Sequence, residues 1–150
     1  MVKKIKRNIG DIVKIDIGDG QYCFACILDE PLVAFFDIKT DLHFEIEEIV
    51  QKPILFKIWV MNNAVTSGHW PIVGTQVLFG DLLKPTKFFR QDIISKKLFI
   101  CTDSIESPAT REECENLECA AVWSYEHVED RLRDHFSGIP SLWVKSLEIK

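Results

Sequence analysis

Between Ile12 and Leu28 the chain alternates, turns and returns, and no other segment restricts the possible folds as much. Val13, Ile15 and Ile17 are apolar and their neighbours Lys14 and Asp16 are charged, the period-two pattern of a strand with one buried face. Gly18-Asp19-Gly20 is a triplet able to supply positive φ, and Gln21 to Leu28 then reads as the return strand of a β-hairpin. Strands on both sides make the glycine triplet a hairpin turn. A phosphate-binding loop would need a helix to follow it.

Further strands follow. Pro31 interrupts the run, and Leu32 to Ile38 is predicted as a third strand. Asp41 to Val50 fits either a short helix or an irregular link, because Leu42, Phe44 and Ile46 alternate whereas Ile46, Ile49 and Val50 have helical spacing. Ile54 to Met61 reads as a buried strand, rich in β-branched and aromatic residues. A polar loop, Asn62 to Gly74, carries Gly68, His69, Trp70 and Pro71. Phe88-Phe89 and Leu98-Phe99-Ile100 read as two more strands joined through Ser95-Lys96-Lys97.

The pattern then turns helical. Thr110 and Glu113 have the spacing of a capping box, and Cys114, Leu117 and Ala121 follow at i, i+3 and i+7, which predicts an amphipathic helix. Ser124 can cap a second helix with an apolar stripe of Val128, Leu132 and Phe136, stopped by Gly138 and Pro140. Leu142-Trp143-Val144 is expected to form a strand or a docking turn. Strands first, helices late and no βαβ alternation predict an α+β fold, mostly β. It is expected to be a curled antiparallel sheet or an SH3-like or PUA-like barrel, with two C-terminal helices packed on it. At 150 residues, with 47% hydrophobic and 27% charged residues, a single domain over 1–150 is expected.

The same numbers exclude classes of function. The basic start, Lys3, Lys4, Lys6 and Arg7, lacks a following apolar run, so a secretory signal is not expected; Ile54 to Met61 is too short to span a bilayer. A cytoplasmic protein with free thiols at Cys23, Cys26, Cys101, Cys114 and Cys119 is the expectation. A formal charge of −5 disfavours general binding to nucleic acid.

Catalytic and metal constellations are weak. Cys23 and Cys26 have the spacing of half a zinc site, but residues three apart on a strand point to opposite faces. His127 and His135, eight apart on one helix, lie about 12 Å apart along its axis and cannot share an ion. His43 and His69 are scattered. A Cys101–His69 pair is conceivable as nucleophile and base, without a local signature to support it. The expectation is no catalytic residue, no metal and no cofactor, hence no enzyme. Trp70 has two readings: an interface anchor, or a plug folded back on the core.

Several segments together resemble the bacterial immunity protein family called immunity protein twenty-six. They are Gly10-Asp11-Ile12 with Gly18-Asp19-Gly20-Gln21-Tyr22; Glu30 to Ile38; Pro53 to Gly74, including Trp59-Val60-Met61-Asn62 and Ser67-Gly68-His69-Trp70-Pro71; Phe88 to Asp92; Thr110 to Glu115; and Ala121-Val122-Trp123-Ser124. The similarity spans about residues 10 to 147, and His69 stands where the motif would favour a more basic residue. The resemblance implies an antidote to a polymorphic toxin, often of nuclease type, that binds and blocks it without chemistry of its own. It supplies no contact residues.

Charge suggests where such a partner, itself basic, would bind. From Asp103 to His135 there are ten acids against three arginines, a net of −7 (3 − 10). Glu112, Glu115, Glu118, Glu126, Glu129 and Asp130, with Trp70 and His69, are the candidate partner-binding residues. The alternative is a nucleic-acid or small-ligand module on an SH3-like or PUA-like barrel, which would need a basic, aromatic-lined groove. A small hydrolase is a third reading, which would need Cys101 or a histidine in a pocket with a perturbed pKa.

Overall fold

The computed structural model describes residues 5–41 and 44–150. Lys3, Lys4 and His43 therefore lie outside the described residues, as does Leu42 of the ambiguous Asp41 to Val50 segment. The hairpin forms as its sequence dictates: β1 (Asp11–Gly18) pairs antiparallel with β2 (Gln21–Ile27), with Ile15 opposite Cys23. All three turn residues have positive φ, 94° at Gly18, 53° at Asp19 and 71° at Gly20. Just before β1, Gly10 is a glycine by necessity: its φ is +93°, and a Cβ there would lie 2.5 Å from the Gln76 carbonyl oxygen.

Strands β3 (Leu32–Phe36) and β4 (Ile54–Val60) continue the sheet antiparallel. β5 (Ile72–Thr75) closes one edge against β1. It lies in the segment expected to be loop, which also holds one helical turn, α2 (Asn63–Thr66). The short α1 (Ile46–Ile49) realises the helical option for Asp41 to Val50. A second sheet contains β6 (Phe88–Gln91), β7 (Leu98–Thr102), β8 (Ile105–Ala109) and β9 (Glu118–Cys119) in the order β8-β7-β6-β9. β8 was not expected; four of its five residues are exposed and it contains Pro108, so as an edge strand it shows no buried face.

The predicted helix through Ala121 shrinks to one turn, α3 (Arg111–Cys114), with its capping box intact. Beyond it, β9 pairs parallel with β6, and β10 (Val122–Trp123) pairs parallel with β4, so backbone pairing to both sheets overrides the helical spacing. Next is α4 (Tyr125–Ser137), with Ser124 accepting from the His127 N–H and Gly138 as C-cap. The tail is a short helix, α5 (Leu142–Ser146), rather than a strand.

The larger sheet has the order β10-β4-β3-β2-β1-β5 and is open: β10 and β5 are opposite edges, so no barrel closes. The fold is α+β, mostly strand, with C-terminal helices. Alternation divides the core in two. Val13, Ile15, Cys23, Ala25, Val33, Phe35 and Ile58 bury one face with Trp70, Trp123, Val128 and Leu132. Ile12, Phe24, Cys26, Ala34 and Phe36 bury the other with Ile49, Val50 and Leu82. Cys23 and Cys26 consequently point into different cores.

Candidate partner-binding site

The loop after α2 places adjacent side chains on opposite sides of the surface. The Trp70 N–H bonds the Ala64 carbonyl at 2.8 Å, which turns its ring inward. Trp70 is 1% exposed and sits edge-on to Phe35 at 5.8 Å, so its indole is the plug and not a surface anchor. Its indole N–H donates to Glu129 Oε2 at 2.9 Å. His69 points outward, stacks on Tyr125 at 3.9 Å, and places Nε2 2.7 Å from the same oxygen. Glu129, on α4, thus ties the loop to the helix and keeps only 12% of its side chain exposed.

The other expected acids divide the same way. Glu118 takes two bonds of 2.8 Å from Arg131, whose guanidinium lies 3.6 Å over Phe56 and 5.2 Å from Trp123. Asp130 accepts from Arg133 at 2.7 Å and from the Trp143 indole at 3.1 Å. The Arg133 bond holds the Asp130 carboxyl below its usual range, and Trp143 lowers it further. Arg133 also donates to the Ile17 carbonyl, joining α4 to the hairpin, and Trp143 stacks on His127 at 3.6 Å. Glu112, Glu115 and Glu126 are exposed. Of the six acids, Glu118 and Glu129 are internal ties, Asp130 is half committed, Glu115 is exposed but lies 3.9 Å from Arg111 one turn earlier, and Glu112 and Glu126 are open to a partner.

Arg131, His127 and Trp143 carry much of this architecture; the sequence weighed His127 only as a metal ligand and Trp143 only as part of a strand or docking turn, and did not single out Arg131. Arg131 counted there only as a charge; nothing in its spacing to Glu118, thirteen residues earlier, predicts the pair. The residues weighed for catalysis are otherwise engaged. Cys101 Sγ lies 3.6 Å from Glu106, and burial first, then that carboxylate, pushes its thiol up, away from a nucleophilic thiolate. His69 is on Glu129, and His135 Nε2 is 3.5 Å from Asp37. All five cysteines are free, and among the described residues no cluster of three or more His, Cys, Asp or Glu side chains is placed to hold a metal.

The family model for Immunity protein 26 matches residues 8–99, more than half of the chain. The chain belongs to that family. The match runs from the start of the hairpin to β7 and includes the His69-Trp70 loop, whereas the Thr110 to Glu115 and Ala121 to Ser124 segments of the resemblance lie beyond it. No curated protein and no solved structure gives a match. Membership implies an immunity protein directed against a toxin. No helix among the described residues is long and apolar enough to cross a membrane.

Proposed function

We propose that this immunity protein acts in the cytoplasm as a single domain over residues 1–150, binding one cognate toxin and blocking it by occupancy, without catalysis. The toxin is basic, as a nuclease-type toxin would be, and the immunity protein itself does not bind nucleic acid. The supporting observation is the exposed trio Glu112, Glu115 and Glu126, set beside acids that are already committed to fixing α4 and β9. Exposed carboxylates on a fixed scaffold raise the encounter rate with a basic surface, and that benefit is screened by salt.

The test is a triple reversal, Glu112→Lys, Glu115→Lys and Glu126→Lys, with toxin binding measured at low and high salt. We expect at least a tenfold loss of affinity at low salt and a flatter salt dependence, with an unchanged unfolding midpoint. Unchanged affinity and salt slope would remove these residues from the interface.

A further inference from the structure

A cleft of about 480 Å³ opens between the two sheets, away from the α4 ties. Its floor is aromatic: Trp59 on β4 meets Phe88 on β6, ring centroids 4.5 Å apart. Its rim is acidic, with Asp29 and Glu30 from the β2–β3 turn on one side and Asp103 from the β7–β8 turn on the other. Backbone geometry fixes both rims. Leu32 N–H bonds the Asp29 carbonyl at 2.6 Å, and Asp103 and Ser104 form a two-residue hairpin turn at φ 46° and 68°.

Among the described residues, two arginines near the cleft are already committed, Arg90 to Glu106 and Arg7 to backbone carbonyls. Arg7 donates to the Leu28 and Leu32 carbonyls, each at 2.7 Å, and its charge offsets one of the three rim carboxylates. Among the described residues, the buried side-chain atoms without a partner are Thr86 Oγ1 and Asn62 Oδ1. Thr86 lines the cleft, and the Asn62 amide donates to Glu30 Oε1 at its rim. Both orphaned atoms are oxygens able to accept. Of the two, only Thr86 belongs to the cleft lining, where its hydroxyl oxygen is an acceptor beside the aromatic floor.

We infer that this cleft receives an arginine side chain of the toxin, a contact that rests on the toxin-binding reading above. A guanidinium is planar, stacks on an aromatic face, carries five donors and remains charged, which suits Trp59, the Thr86 hydroxyl and the carboxylate rim together. A lysine would supply the charge but not the plane or the fork of donors.

The first readout is the Trp59 indole resonance, assigned with Trp59→Phe, during titration with the peptide acetyl-Gly-Arg-Gly-amide and with its citrulline counterpart. A saturable shift with arginine, absent with citrulline and at least tenfold weaker in Asp29→Asn/Asp103→Asn, is expected. No shift, or an equal shift with citrulline, overturns the inference. The second readout is affinity for the toxin. Wild-type binding with at least a tenfold loss in the double variant, at an unchanged unfolding midpoint, supports the contact. Wild-type binding that the double variant retains in full overturns the contact and leaves the toxin-binding reading standing. A wild-type protein that does not bind the toxin overturns that reading, and this contact with it.

Discussion

Glu129 shows how one carboxylate can decide the surface around it. Its Oε2 accepts from the buried Trp70 indole and lies within hydrogen-bond distance of the His69 ring, so removing it strands a donor inside the protein. Glu129→Ala is expected to cost about 1–3 kcal/mol, the penalty of an unsatisfied buried polar group, while Glu129→Gln keeps an acceptor and loses less. Urea unfolding of the two variants checks this; equal midpoints for Ala, Gln and wild type would show that the tie does not contribute. The sequence left Trp70 open between plug and anchor because its burial depends on an acceptor fifty-nine residues away. No local pattern encodes such a partner.

At the scale of elements, α4 was legible because both ends and its stripe are local signals: Ser124 before it, Gly138 after it, and Val128 and Leu132 one turn apart. Both residues are 0% exposed against the first core. Leu132→Ala is expected to destabilise by about 2–5 kcal/mol through lost burial and the cavity left behind. Exposed Glu126→Ala should stay within about 0.5 kcal/mol. Thermal or urea unfolding separates them, and similar losses for both would contradict the packing. The hairpin was equally legible, from alternation and a turn triplet. α3 was not: its start is local, but its end is set by β9 and β10 pairing with strands far back in the chain. β5 and β8 were missed for the same reason, being edge strands with no buried stripe of their own to mark them.

At the scale of the whole molecule, the large sheet is buried on both faces, and its thiols report that burial. Burial pushes Cys23 and Cys26 each up to about 12 from the ordinary 9.0. In that window the unfolded chain releases thiol protons that the folded chain keeps. The contribution of these two thiols to stability is therefore full below pH 9 and is lost as the pH rises toward 12. Asp130 acts at the other end: its lowered carboxyl adds stability above the ordinary 3.8, lost as the pH falls through its lower folded value. Unfolding free energies across pH should show both limbs, the alkaline one shallower in Cys23→Ala/Cys26→Ala. An alkaline limb unchanged in that variant would contradict the assignment.

Family and charge at this scale were readable from the chain; the acids left free were not, because pairing with Arg131, Arg133 and Trp70 appears only once the chain is folded. The central claim is that this immunity protein silences its toxin by occupancy. The direct measurement is toxin activity titrated with the immunity protein at a toxin concentration far above the dissociation constant. The account predicts a linear fall to zero at one equivalent, with activity recovered when the complex is separated. Loss of activity at a small fraction of an equivalent, persisting after separation, would mean that the protein modifies its toxin and would contradict it.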